Sequence, residues 1–396
     1  MSLDVWLKQM VEKKGSDLFI AVGVPAKMKC HGEMVNLSDE ILSPESTQAI
    51  VLSLMNEEQK ENFLKSKELN FAINQPGLGR FRVSAFQQRS VIGAVLRRIE
   101  TRIPVLEELG VPKILSDLAL TQRGLIILVG ATGAGKSSTL AAMIGYRNAN
   151  TKGHIISIEE PIEFVHEHKG CIITQREVGV DTESFEVALK NTLRQAPDVI
   201  LIGEIRSQET MNYAIAFAET GHLCLATLHA NNANQALDRI VNFFPHEMQH
   251  QLWMDLSLNL KAIIAQQLIP TQDGQGRVPA IEILINTPVV SEHIRKGEVN
   301  VLKEFMTKSN ELGMQTFDQA LFKLYSEGKI SYEAALKHAD SENEIRLMIK
   351  LKKGGVSETS SQLSMVDDKA SLDAPTGLKP FSDVLSLDDD YKPSPD

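Results

Sequence analysis

Cysteine is nearly absent from this 396-residue chain: Cys30, Cys171 and Cys224 stand far apart, without a Cys-x-x-Cys pair. That excludes a disulfide scaffold and a four-cysteine zinc site, and it fits a reducing cytoplasm. A basic excess is also missing. Asp and Glu number 51 against 41 Lys and Arg, a net charge of −10, and aromatic residues make up 5%. A pervasively basic nucleic-acid binder is thereby excluded, though a local basic groove is not. Long apolar runs are lacking too. None approaches 18 residues; the best, Leu125–Val129, stops at a glycine-rich loop, and Asp4 with polar neighbours stands where a signal peptide would be basic and then apolar. Neither a membrane span nor a secretion signal is expected, and a peripheral membrane role stays open.

What is present is globular: 43% hydrophobic and 23% charged residues over a length that suits two to three domains. There are no internal repeats. Residues 1–105 read as a small α+β unit. Leu3, Trp6, Leu7, Met10 and Val11 make one helical face, and a strand meander follows over Leu18–Val22, Lys27–Cys30 and Glu33–Leu37. Ser43-Pro44 has the form of an N-cap with proline at the first helical position, opening a helix to about Met55. Phe71–Asn74, Arg80–Gln88 and Val91–Ile99 alternate like strands, the first two joined at Pro76-Gly77. Residues 106–120 read as a linker and entry helix. From 121 to 352 the pattern is α/β, short apolar strands alternating with helices, then mainly helix after Gln251 with one strand near Pro279–Ile285. The last segment, 353–396, is rich in Ser, Asp, Pro and Gly, and from Gly354 to Asp396 it carries nine acids against three Lys. It has too little apolar surface to offset chain entropy and is expected to be a disordered acidic tail.

Four stretches carry chemistry. Gly130-Ala131-Thr132-Gly133-Ala134-Gly135-Lys136-Ser137 is a complete G-x-x-x-x-G-K-[ST] between an apolar strand and a helix-like run beginning at Ser138. Its glycines let backbone N–H groups turn toward phosphates, Lys136 reaches the β/γ oxygens, and the Ser137 hydroxyl can ligate Mg²⁺. Asp198-Val199-Ile200-Leu201-Ile202-Gly203-Glu204-Ile205-Arg206 is a buried strand ending in a carboxylate. Strands often end in an acid, but this one follows the P-loop by about 70 residues, and Glu204 suits the Walker B position. Ile155–Ile158 leads into Glu159-Glu160-Pro161-Ile162-Glu163, a group of acids that either polarises water or forms a charged turn. Gly221-His222-Leu223-Cys224-Leu225-Ala226-Thr227-Leu228-His229-Ala230 ends another strand in Thr-x-His; a lone histidine is more often structural.

Taken together and in this order, the four stretches resemble the secretion-type ATPases of the RecA-like class, which power type II secretion and type IV pili. The likeness extends from Gly15-Ser16-Asp17-Leu18 to about residue 350 and is strongest to the pilus-retraction branch, the PilT/PilU family. Asn231-Asn232-Ala233-Asn234-Gln235 and the acidic tail look nearer its PilU-type members. The resemblance implies a PAS-like N-terminal domain, a RecA-like P-loop domain, and a homo-hexameric ring using ATP and Mg²⁺. It also implies peripheral association with the inner membrane, against a pilus platform protein and beside a paralogous PilT-type ATPase. Residue by residue, it implies that Glu159 acts on water, Glu204 and Ser137 support Mg²⁺, and His229 with His222 senses the γ-phosphate. Gly130, Thr132, Gly133, Ala134, Gly135, Lys136, Ser137 and Ser138 would bind nucleotide, and Arg82 and Arg97 would reach it across an interdomain or intersubunit cleft.

Two departures stand out. Glu160 replaces the family's usual Asp before Pro161, and Val289–Glu298 keeps only part of the family's Ala-Ile-Arg-Asn-Leu-Ile-Arg-Glu segment. A RecA-like nucleic-acid translocase and a non-motor ring subunit are the competing functions; the acidic balance speaks against the first and the intact Walker motifs against the second.

Overall fold

A computed structural model describes residues 3–30, 33–99 and 102–354. The chain opens with α1 (Leu3–Glu12), β1 (Asp17–Ile20), β2 (Pro25–Cys30), β3 (Glu33–Ile41), α2 (Pro44–Ser53), α3 (Glu57–Ser66), β4 (Glu68–Gln75), β5 (Gly79–Gln88) and β6 (Val91–Arg98). Among the described residues the strands form an antiparallel six-stranded sheet, ordered β3-β2-β1-β6-β5-β4. Alternation decides its faces. In β5, Phe81, Val83 and Ala85 are buried against Trp6, Leu7, Val51 and Phe63 of the helices, while Arg80 and Arg82 point the other way. Helix α2 begins as expected, with a reciprocal cap between Ser43 and Ser46. Helix α3 was not foreseen: Phe63 is its one buried side chain, so no apolar stripe announces it, and the Asn56–Gln59 capping box is its clearest local signal.

Next come α4 (Leu106–Leu109) and α5 (Ile114–Ala119), then β7 (Gly124–Val129), α6 (Lys136–Asn150), β8 (Gly153–Glu159), β9 (Cys171–Glu177), α7 (Phe185–Thr192), β10 (Val199–Ile202), α8 (Gln208–Glu219) and β11 (Leu223–Leu228). Arg147 of α6 donates to the carbonyls of Ala119 and Thr121 at 2.9 and 2.7 Å and fastens the end of α5 to the P-loop helix. The chain continues through α9 (Ala233–Val241), α10 (His246–Asn259), β12 (Leu260–Pro270), β13 (Arg277–Ile285), α11 (Pro288–Arg295), α12 (Leu302–Lys308), α13 (Phe317–Ser326), α14 (Tyr332–His338) and α15 (Glu342–Gly354). The second sheet is ordered β13-β12-β7-β11-β10-β8-β9, parallel except for the β12–β13 hairpin. Every residue of β7, β10 and β11 is buried, with separate apolar clusters on the two faces. This is how a parallel sheet covered by helices on both sides reads.

One expectation fails here. The region after Gln251 is not mainly helix up to Pro279, because α10 ends at Asn259 and the 11-residue β12 follows. In Leu260–Ile269 the polar residues Lys261, Gln266 and Gln267 follow neither a helical nor a strand period; its β-branched isoleucines and its place between β7 and β13 make it a strand. The disordered acidic tail expected over 353–396 lies outside the described residues from 355 onward. No helix among the described residues is long and apolar enough to cross a membrane.

Candidate nucleotide site

Parallel strands deliver their C-terminal ends to one edge, and that is where a ligand cleft forms in an open α/β sheet. Here β7, β8, β10 and β11 end at Val129, Glu159, Ile202 and Leu228, and the sequence motifs follow those ends directly. One cavity is lined by Thr132, Gly133, Lys136 and Ser137 together with Glu159, Glu204 and His229. Ala134 is buried behind the loop, Gly135 caps α6, and Ser138 lies in its first turn. Gly130 lines an adjoining cavity that shares His229.

The P-loop is shaped from below by a residue the motifs do not contain. Gln266 of β12 is buried and accepts from the Thr139 hydroxyl at 2.8 Å. At Gly135, where φ is +87°, a Cβ would meet the Gln266 amide nitrogen at 2.7 Å, so the loop closes over this strand only with glycine there. Lys136 is buried, and its ammonium donates to the carbonyls of Gly130 and Ala131 at 2.7 and 3.1 Å. Burial pushes its pKa down, against the attraction of Glu204 and Glu163.

The acids converge because β8 and β10 touch. A Cβ on Gly203 would lie 3.0 Å from Glu159 Cα, so glycine lets the two strand ends close up. Glu204 then lies 3.2 Å from His229 Nε2 and forms an ion pair with Arg206 at 2.7 Å. Arg206 also reaches Glu160 at 3.0 Å, so the longer carboxylate at position 160 has a partner that ties this turn to the end of β10. The Glu160–Pro161 peptide is cis. Glu159 accepts from Ser157 Oγ at 2.6 Å and from Gln175 Nε2 at 3.2 Å. Burial raises its carboxyl to about 7, opposed by those two hydrogen bonds and helped by the neighbouring Glu163. An acid poised there loses its charge at mildly acidic pH.

Three of the expected residues lie outside the cavity of this chain. His222 does not join the cavity: it precedes β11, whereas His229 follows it, and six extended residues put them on opposite sheet edges, about 20 Å apart. The His222 ring instead bonds Thr220 and the Phe217 carbonyl. Arg97 is tied to Asp17 at 2.8 Å within the first sheet, and Arg82 sits beside it in cross-strand register. Neither lines the cavity. The arginine that crosses to the second sheet is Arg80, 3.9 Å from buried Glu177, which stands in register with Glu159. Alternation on β5 puts Arg80 and Arg82 on one face, and nothing local in the sequence chooses between them.

Known proteins resemble this chain over most of its length. A family model described as Type II/IV secretion system protein matches residues 4–329. The chain is 64% identical over 373 residues to a Pseudomonas aeruginosa protein named Type IV pilus ATPase PilU, covering 94% of this chain and 97% of that one. It is 40% identical over 339 residues to the same organism's Type IV pilus retractation ATPase PilT, covering 86% and 98%. A crystal structure described as the pilus retraction motor PilT with bound ADP superposes at a TM-score of 0.82 with 38% identity, covering 88% of this chain and 99% of that one. On the match over residues 4–329 and the full-length likeness to these proteins, the chain belongs to the type II/IV secretion system protein family.

Proposed function

We propose that the protein is an ATP-hydrolysing motor of type IV pilus retraction, PilU-like in kind, working as a homo-hexameric ring on the cytoplasmic face of the inner membrane. The observation that carries this reading is the single cavity in which a P-loop lysine meets acids and a histidine from three other strand ends. Lys136 and the loop amides would hold the nucleotide phosphates. Glu159 would take a proton from the attacking water, and His229, fixed by Glu204, would face the γ-phosphate. The Ser137 hydroxyl and the Glu204 carboxylate are hard oxygen donors at the loop and suit Mg²⁺, which would neutralise phosphate charge when bound. Arg82, without an ion-pair partner among the described residues, would face a neighbouring protomer's nucleotide. A stroke follows if nucleotide favours one arrangement of the N-terminal domain (1–105) against the ATPase domain (121–352). The platform protein and a PilT-type paralogue would receive that stroke.

The test is turnover by the purified full-length chain. ATP hydrolysis that DNA does not stimulate, in a species with the mass of six copies, is expected; DNA stimulation with a steep salt dependence would instead mark a nucleic-acid motor. A second expectation concerns pH. A base must be ionised, so kcat should fall as pH drops through about 7, the value to which burial raises Glu159. The Gln175 hydrogen bond favours the ionised form, so Gln175→Ala should move that acid limb to higher pH. An unmoved limb would remove Glu159 from the role of base.

A further inference from the structure

Buried carboxylates that the proposed chemistry does not use are rare here, and Glu282 of β13 is one: it is 1% exposed. One oxygen accepts the Ala233 N–H at 2.8 Å, and Ala233 is the first residue of α9. The other oxygen is buried without a hydrogen-bond partner among the described residues. The amide of Phe317, the first residue of α13, acts on the same carboxylate. Glu282 therefore stands between the positive ends of two helices, where an anion is favoured. Lys303 of α12 and Asp340 after α14, paired with each other, also act on it, and Asp318 accepts from the amides of Asp340 and Ser341 at 2.8 and 3.1 Å. Burial raises the Glu282 carboxyl to about 7, so at pH 8 it is ionised.

Its level in the sheet is the informative part. Strand registers place Glu282 opposite Ala265, Ala265 opposite Val129, and Val129 opposite Leu228. All three neighbours belong to the apolar cluster that also holds Ala233. Val129 immediately precedes the P-loop and Leu228 immediately precedes His229. Between His229 and the helix start that Glu282 holds there are only three residues, Ala230-Asn231-Asn232.

We propose that Glu282 is a positioning residue for His229: by fixing the first turn of α9 it sets the three-residue loop that holds the histidine against Glu204, and it links that loop to α12 and α13. This rests on the reading of the cavity as an ATPase site. Among the described residues Glu282 makes no hydrogen bond or ion pair with α6 or the P-loop, so its effect falls on turnover rather than on nucleotide binding.

The experiment is steady-state ATP hydrolysis at pH 8 by the full-length chain, with binding of a fluorescent ADP measured alongside. For Glu282→Ala the expected result is a kcat lower by about tenfold or more, with ADP affinity and KM within about threefold, since sub-ångström to ångström displacement of a reacting group costs this much. Glu282→Gln, which keeps the carbonyl acceptor for Ala233, should recover most of kcat. In a His229→Ala background, Glu282→Ala should cost less than about twofold more, because both changes remove one function. Unchanged kcat in Glu282→Ala, equal loss of binding and turnover, a loss that Glu282→Gln does not relieve, or full additivity with His229→Ala would each overturn the assignment. Absence of turnover in the wild-type chain would instead overturn the ATPase reading itself.

Discussion

Replacing Glu159 by glutamine should cut ATP turnover by about 10²–10⁴-fold while leaving ADP affinity within about threefold. That range is what a positioned general base contributes. Glutamine preserves the length and the acceptor oxygen that receives the Ser157 hydroxyl at 2.6 Å, so the end of β8 keeps its shape. What is lost is a group able to take a proton. Burial drives the Glu159 carboxyl up to about 7, which would be costly for an acid serving only as a surface charge but suits one that exchanges a proton with water near neutrality. The substitution should also abolish the acid limb of the pH profile. Single-turnover hydrolysis by the Glu159→Gln protein, with nucleotide binding as the control, decides the matter. Turnover within tenfold of wild type would transfer the base to another group on the cavity wall, where Glu160 and Glu163 are the nearest carboxylates in sequence.

Most of the cavity was legible because its residues follow strand ends in short contiguous motifs. A loop such as Gly130–Ser137 encodes its own geometry, and four apolar strands of a parallel sheet can end in few places other than one edge. The parts that were not legible depend on register. Gln266 lies under the P-loop and Glu282 behind α9 only because β12 pairs with β7 and β13 with β12, and the polar residues of Leu260–Ile269 fall at no regular period from which to deduce that pairing. His222 lies away from the cavity for a related reason. Grouping it with His229 treats ten residues as one site, whereas the extended chain between them spans the sheet. The arginines show a third limit. Alternation along β5 puts Arg80 and Arg82 on one face, yet which of them meets Glu177 is set by how the two sheets face each other. That is a tertiary fact with no local signature.

Lys136→Ala should remove both binding and turnover, in contrast to the Glu159 variant. In the folded chain the ammonium is buried and bonded to the carbonyls of Gly130 and Ala131, so it already bridges the mouth of the P-loop. Phosphate oxygens compete for that ammonium with two neutral carbonyls. Exchange for an anion is strongly favourable because burial has stripped the lysine of water, as the downward push on its pKa reflects. A hydrogen bond to a charged group is worth about 1.5–3 kcal/mol. One such contact to the phosphates therefore corresponds to a weakening of nucleotide affinity by about 10- to 150-fold. Loss of the same positive charge where phosphate charge develops should lower kcat by a further 10²–10³-fold, roughly the effect of deleting one preorganised donor. Fluorescent ADP titration and ATP turnover measure the two losses separately, and a thermal melt without nucleotide checks that the P-loop strand and α6 still pack. An alanine variant that melts normally and binds ADP as tightly as the parent would mean that phosphates do not sit over Gly130–Ser137, and the roles given to Glu159, Glu204 and His229 would go with that cradle.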